Sequence, residues 1–170
     1  MLGLRRNTVR HESYTTEWEK EFLKIKMQID SALESNSIKV EHIGSTAIKG
    51  MLSKPILDIG IGVSSKKEIA KVVRELEKIG FIDRGDRADR GGYLMVKVVA
   101  PEVVSHHIHI LITGDEQWNN YLYFRDQLRA DGDLIKEYEK VKEDLLNKHL
   151  GDRAKYTIGK EAFIKKVLGK

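Results

Sequence analysis

The chain has 170 residues, with 30 lysines and arginines against 26 aspartates and glutamates, two prolines and no cysteine. This length usually makes one domain with its own core, and 41% hydrophobic with 33% charged residues is typical of a globular protein rather than a disordered one. The lack of cysteine excludes disulfides, cysteine-ligated metal sites and thiol catalysis.

The first half of the chain combines one helical pattern with two strand patterns. Apolar residues at three- and four-residue steps predict an amphipathic helix over residues 15–35. A short strand is predicted over residues 38–43, and the Gly44-Ser45-Thr46 segment ends it. The strand over Pro55–Val63 has an unusual alternation, because Leu57, Ile59, Ile61 and Val63 form one face and Asp58, Gly60 and Gly62 form the other.

The second half begins with a helix that is predicted to end at Gly80. The charged run over residues 83–92 predicts a flexible loop, at most a mobile lid. Strands are predicted over Tyr93–Val99 and His106–Ile112, and helices from Asp115 onward. This order predicts a single α+β domain over residues 1–170, with helices packed on one face of a mixed β-sheet.

The charge and apolar patterns disfavour nucleic-acid and membrane partners. The whole surplus of four positive charges lies in residues 151–170, and no basic stripe with interleaved aromatic residues accompanies it. No run reaches the roughly 18 apolar residues of a membrane span, and the N-terminal residues lack the apolar run of a secretory leader. We therefore expect a cytoplasmic protein that makes no membrane contact.

The segment from His42 to Asp58 carries the strongest chemical pattern. Gly44 lets the backbone approach a phosphate, and the Ser45 and Thr46 hydroxyls can bond its oxygens. Asp58 lies on the strand face that the glycines leave open, which suits a divalent ion beside a bound phosphate. The alternative is a tight turn before a core strand whose aspartate is hydrogen-bonded.

Five ordered motifs resemble the GrpB-like family of the nucleotidyltransferase superfamily, whose fold is that of DNA polymerase beta. They are His42-Ile-Gly-Ser-Thr-Ala, Lys54-Pro-Ile-Leu-Asp-Ile, His107-Ile-His109-Ile, Phe124-Arg-Asp-Gln-Leu-Arg129 and Tyr156-Thr-Ile-Gly-Lys160. The resemblance spans about Trp18 to Leu168 and implies a nucleotidyltransferase-like fold. It also implies a nucleotide ligand and catalytic roles for Ser45 and Asp58.

The sequence departs from the pattern of active nucleotidyltransferases in its metal ligands. Those enzymes usually place a second carboxylate two residues after the first, where this chain has Gly60. On the later strand His107 and His109 share one face and can turn toward Asp58. An Asp with two His suits zinc, manganese, iron or nickel better than magnesium, so we expect a divalent metal ion, Mg, Mn or Zn. The alternative is a pair of polar histidines on a sheet surface.

The remaining candidate ligand-binding residues each have a structural alternative. His42 either contacts phosphate or makes a structural hydrogen bond. Lys54 either binds the ligand or is a solvent-exposed residue at the start of the strand. Arg125 and Arg129, one helical turn apart, form either an anion clamp or a link from helix to sheet. Tyr156 and Lys160 have the same spacing and can bring a phenol and an ammonium group to one pocket.

Two functions remain open at this point. The first is a divergent metal-dependent nucleotidyltransferase, in which Ser45 holds phosphates and Asp58 holds the metal ion. The second is a non-catalytic module that binds a nucleotide or another phosphate-bearing small molecule and has lost the second metal-ligand carboxylate.

Overall fold

The computed structural model describes residues 2–87, 92–149 and 152–170. Its strands are β1 Leu4–Arg5, β2 Lys39–Ile43, β3 Leu57–Val63, β4 Ile82–Arg87, β5 Gly92–Ala100 and β6 Val103–Ile112. Its α-helices are α1 Thr16–Leu33, α2 Lys66–Lys78, α3 Glu116–Ala130, α4 Gly132–Lys148, α5 Arg153–Gly159 and α6 Glu161–Leu168. A short 3₁₀ helix, Ser45–Ala47, follows β2.

The strands form one mixed sheet in the order β2-β3-β6-β5-β4, with β1 pairing to β6. The pair β3–β6 is parallel, and the other neighbours are antiparallel. Helices α1 and α2 cover one face, where Ile25 and Ile29 join Ile59, Ile61 and the apolar residues of the neighbouring strands. The predicted α+β class with a mixed sheet is confirmed.

The second face of β3 is occupied differently along its length. Gly60 and Gly62 leave room for the indole of Trp118 on α3, and a Cβ atom at Gly62 would lie 2.9 Å from that ring. Asp58, nearer the start of the strand, is not covered in this way and lines a cavity. The two glycines therefore serve helix packing, and only Asp58 brings polar chemistry to this face.

The C-terminal helices pack against the segment that follows β2. Ile48 and Met51 from that segment join Leu128, Tyr138 and Phe163 in a second buried cluster. This cluster holds α3, α4 and α6 beside the open part of the sheet. Residues of these helices line the cavity in front of Asp58.

Two strands differ from the sequence-based prediction. Ile82–Arg87 forms β4, although its charges predicted a loop, because the Tyr93 hydroxyl donates to Asp83 Oδ2 at 2.7 Å and the strand pairs with β5. The rest of the predicted loop, residues 88–91, lies outside the described residues. Strand β1 was not predicted. Gly80, with φ of +88°, follows α2 as predicted, and no helix in the described ranges has the length and apolarity that crossing a membrane requires.

Candidate metal centre and ligand cavity

The parallel pairing of β3 with β6 places one carboxylate beside two imidazoles. Asp58 is in register with His107, and Gly60 is in register with His109. Side chains two residues apart on a strand share a face, so both histidines lie on the face of Asp58. Their ring centroids are 6.3 Å apart. The sequence-based expectation that the two histidines turn toward Asp58 agrees with this geometry.

Asp58 Oδ1 lies 3.1 Å from His107 Nδ1 and 3.4 Å from His109 Nε2. One potential ligand atom from each of the three residues lies within 4.8 Å of the others. Burial alone would raise the pKa of Asp58, but the hydrogen bonds and charges of the two histidines outweigh burial and hold this pKa well below its usual range. The carboxylate is thus ionised at neutral pH and can bind a cation.

The turn after β2 closes directly over this carboxylate. Gly44 has φ of +71°, and a Cβ atom there would lie 2.7 Å from Asp58 Oδ2. Only glycine fits both this backbone conformation and this approach. Ser45 and Thr46 begin the 3₁₀ helix at the same point and line the cavity. The turn therefore presents two hydroxyl-bearing residues beside the Asp58–histidine cluster.

A cavity of about 730 Å³ opens in front of these residues. Its lining includes most of the candidate residues expected from the sequence: Gly44, Ser45, Thr46, Lys54, Asp58, His107, His109, Tyr156 and Lys160. The volume lies within the range of small-molecule and cofactor sites. These nine residues come from four of the five sequence motifs, which are far apart in the chain.

Another part of the cavity lining is aromatic and cationic. Lys54 Nζ and Lys160 Nζ lie 4.9 Å and 5.1 Å from the centre of the Tyr156 ring. Lys142 Nζ lies 4.9 Å from the centre of the Tyr138 ring. A 2.8 Å hydrogen bond joins the Tyr156 hydroxyl to His11 Nε2. We call Lys54, Lys142 and Lys160 the lysine cluster.

Burial and the positive charge around the lysine cluster shift the pKa values of two groups. Burial first, and then the charges of Lys142, Lys54 and Lys160, lower the pKa of His11 to about 4. Burial also lowers the pKa of Lys142 to about 8, with Lys160 adding to this effect and Glu139 opposing it. His11 is consequently neutral at pH 7, whereas Lys142 keeps most of its charge in a poorly hydrated place.

Lys142 is a residue that sequence reasoning missed. It is only 3% exposed, and its ammonium group donates a hydrogen bond to the Leu52 carbonyl oxygen. Its signal in the sequence was the Tyr138–Lys142 spacing, which recurs later in the chain as Tyr156–Lys160. A second Tyr and Lys four residues apart on a helix would have drawn attention to it. His11 carries no comparable signal, because only the fold brings it to Tyr156.

Three candidate ligand-binding residues lie outside the cavity lining. His42 is 7% exposed, stacks on Phe22 with ring centres 4.7 Å apart and is hydrogen-bonded through Nε2 to Thr46 Oγ1. Arg125 donates to Glu41 Oε2 at 2.8 Å and to the His42 carbonyl oxygen at 3.0 Å. Arg129 donates to the carbonyl oxygen of Ala47. These contacts fit the structural alternatives, in which the residues fix α3 to β2 and to the turn.

The family comparison agrees with the motif order in the sequence. The family model described as "GrpB protein" matches residues 8–170. The chain belongs to the GrpB family. A relative named Glutamate-rich protein GrpB, from Alkalihalophilus pseudofirmus, is 31% identical over 99% of this chain and 98% of its own length. YqkA of Bacillus subtilis is 30% identical over 89% of this chain, which spans only 44% of that protein.

Solved structures confirm the nucleotidyltransferase-like fold. The crystal structure of GrpB from Enterococcus faecalis superposes with a TM-score of 0.81 at 30% identity, covering 93% of this chain and 94% of that one. Cid1 poly(U) polymerase in a form described as MgGTP-bound has a TM-score of 0.56 at 16% identity. The match covers 86% of this chain and 50% of the Cid1 chain. At that identity the likeness shows the fold alone.

Proposed function

We propose that the cavity binds a nucleotide or a similar phosphate-bearing molecule between a divalent metal ion at Asp58, His107 and His109 and the lysine cluster. The observation that carries this proposal is the placement of both groups in one cavity of about 730 Å³. A ligand with several linked phosphates matches both ends, because its oxygens can contact a cation at each. The relation in fold to a polymerase that binds Mg-nucleotide complexes supports a nucleotide as the ligand.

The metal-ligand end supplies a fixed carboxylate and a rigid turn. When bound, the metal ion neutralises phosphate charge and polarises a phosphoryl oxygen. Asp58 and the two histidines would hold it, and Gly44 keeps the following turn close to Asp58. Ser45 would donate its hydroxyl to a phosphate oxygen beside that position. Thr46, oriented by His42, completes the turn.

The lysine cluster supplies positive charge that is partly buried. Lys142 is nearly fully buried, so a phosphate that reaches it gains more from the ammonium charge than it would at an exposed surface. Tyr138 and Tyr156 hold the ammonium groups of Lys142, Lys54 and Lys160 against their rings. Lys142 on α4, Lys160 between α5 and α6, and Lys54 in the segment before β3 would thus hold the phosphate tail.

We propose nucleotidyl transfer as the reaction, and non-catalytic nucleotide binding is the second candidate. The fold and the Ser45–Asp58 arrangement favour transfer. The second candidate rests on Gly60, because an ideal Cβ atom there would lie 3.4 Å from Trp118 and 3.5 Å from Ile43. The position where related enzymes usually carry a second carboxylate is thus packed against apolar side chains in this protein.

Calorimetric titration with the four nucleoside triphosphates, each with Mg²⁺, Mn²⁺ or Zn²⁺, tests the binding proposal. We expect binding that weakens by at least about tenfold in Asp58→Asn and in Lys142→Met, since each removes a charge-assisted contact of roughly 1.5–3 kcal/mol. Lys140→Met, an exposed lysine on the same helix, is the matched control and should bind as the original protein does.

Pyrophosphate release then separates the two candidates. Release that depends on Asp58 supports nucleotidyl transfer, whereas binding without release under any metal supports the non-catalytic module. Binding that neither Asp58→Asn nor Lys142→Met weakens would refute the assignment of the ligand to this cavity.

A further inference from the structure

The donor atoms around Asp58 do not match a pair of magnesium ions. Magnesium takes oxygen ligands in octahedral geometry and usually keeps several waters. Here two of the three protein donors are imidazole nitrogens, His107 Nδ1 and His109 Nε2. A second metal ion needs a further carboxylate on this face, and the next outward position of β3 is Gly60, which has no side chain and contacts Trp118.

We infer that the cavity holds a single transition-metal ion of the zinc type, bound by Asp58, His107 and His109 and not exchangeable for magnesium. This inference rests on the proposed function, since it specifies the metal ion of the same cavity. Two imidazoles with one carboxylate are a donor set that zinc and its first-row neighbours prefer over the hard cations. Three protein ligands with a remaining open position are typical of metal ions that also contact substrate.

The spacing of the donors supports one small ion of low coordination number. Metal–ligand bonds of about 2.0–2.1 Å at tetrahedral angles place the ligand atoms about 3.4 Å apart. The two separations from Asp58 Oδ1, 3.1 Å and 3.4 Å, are close to this value. The two nitrogens lie within 4.8 Å of each other, so small side-chain rotations complete the site.

The surroundings leave the open coordination position on the cavity side. The β3–β6 backbone lies behind the three ligands, and Tyr121 packs beside His109 with ring centres 5.4 Å apart. Gly44 closes the side next to Asp58 Oδ2. Among the described residues no other group of three histidine or acidic side chains converges in this way. A phosphate oxygen from the cavity is therefore the ligand that fits the open position.

Metal titrations of the protein alone, without any nucleotide, test the inference. After removal of metals with a chelator, Co²⁺ titration should give visible d–d absorption of a nitrogen-ligated ion, and Zn²⁺ should displace it at one equivalent per chain. A large molar excess of Mg²⁺ should leave the Co²⁺ spectrum unchanged. His109→Gln should weaken zinc binding by at least about tenfold, whereas His149→Gln, at the end of α4 and outside the site, should not weaken it.

His109→Asp serves as a second variant that tests donor chemistry rather than site occupancy. It replaces a nitrogen donor by oxygen, so the preference for Zn²⁺ over Mg²⁺ should fall markedly, and circular dichroism of the metal-free variant reports whether it is folded. Displacement of Co²⁺ by Mg²⁺ in the original protein would overturn the inference. So would a zinc affinity that is unchanged in both His109 variants. The proposal of a phosphate-bearing ligand is tested separately, by the nucleotide titrations.

Discussion

Lys142→Met is the substitution whose effect on stability follows most directly from the structure. The Lys142 side chain is almost fully buried, its ammonium group donates to the Leu52 carbonyl oxygen, and its pKa falls from 10.5 to about 8. Methionine has a similar length and no charge. The substitution therefore removes a buried charge and one hydrogen bond while it keeps most of the packing in the cavity wall.

The size of the effect follows from the pKa shift. A lowering from 10.5 to about 8 corresponds to about 3 kcal/mol by which the charged form of Lys142 disfavours folding at pH 7. The hydrogen bond lost at the Leu52 carbonyl oxygen costs about 1–3 kcal/mol in the opposite direction. At pH 7 we therefore expect Lys142→Met to be as stable as the original protein or more stable, by up to about 2 kcal/mol.

The sign changes at alkaline pH. The folded protein loses the Lys142 proton near pH 8, while the unfolded chain keeps it up to about pH 10.5. Between these values the unfolded state binds more protons, so the stability of the original protein rises with pH relative to the variant. Above about pH 10.5 the charge no longer opposes folding, and Lys142→Met should be the less stable protein by about 1–3 kcal/mol.

Urea denaturation of both proteins at closely spaced pH values from 6 to about 10.5 measures this difference. Other ionisable groups are common to the two proteins, so their contributions largely cancel. Lys140→Met, at an exposed position of the same helix, is the control and should show no such pH-dependent difference. If Lys142→Met is destabilised at pH 7 by an amount that stays constant up to pH 10.5, Lys142 carries no desolvated charge and the reasoning is wrong.

Three further substitutions test the site and its supports. Gly44→Ala would place Cβ 2.7 Å from Asp58 Oδ2 at a φ of +71°, so unfolding free energy measured in urea should fall by about 1–3 kcal/mol. Zinc affinity should fall with it, and an unchanged affinity would contradict the role given to the turn. Arg125→Met removes the donor of the 3.0 Å hydrogen bond to the buried carbonyl oxygen of His42, which should cost about 1–3 kcal/mol of stability. Nucleotide affinity in calorimetry should not change, and its loss in a folded variant would return Arg125 to the binding site. Gly62→Ala would bring Cβ to 2.6 Å from Thr113 Oγ1 and 2.9 Å from Trp118, so thermal unfolding should show a loss of about 1–3 kcal/mol. A neutral result would mean that α3 is not packed tightly on β3.

Most helices and strands were predictable because their apolar residues repeat at regular intervals. The pattern for α1 reflects one buried helix face, and the alternation along β3 reflects one face of large apolar residues and one of Asp58 and glycines; both are local properties of the sequence. Strand β4 was not predictable in this way. Its sequence, Ile82 to Arg87, is mostly charged and glycine-containing, and it becomes a strand only because β5 lies beside it.

The candidate metal centre was easier to predict from the sequence than the lysine cluster. Asp58 stands out on a face otherwise made of glycine, and the spacing of His107 and His109 puts both on one face of a strand. His11 lacks such a local pattern, and the Tyr138–Lys142 spacing does not by itself show that Lys142 is buried among residues distant in sequence. The contacts of Arg125 with Glu41 and with the His42 carbonyl likewise depend on how α3 packs on β2.

Crystallography of the protein with Zn²⁺ and a non-hydrolysable nucleoside triphosphate, with data collected at the zinc absorption edge, tests the central claim most directly. We predict one anomalous peak per chain, bonded to Asp58, His107 and His109, and phosphate density that runs from this peak toward Lys142 and Lys160. An anomalous peak away from these three ligands, or a triphosphate bound outside the cavity, would contradict the account.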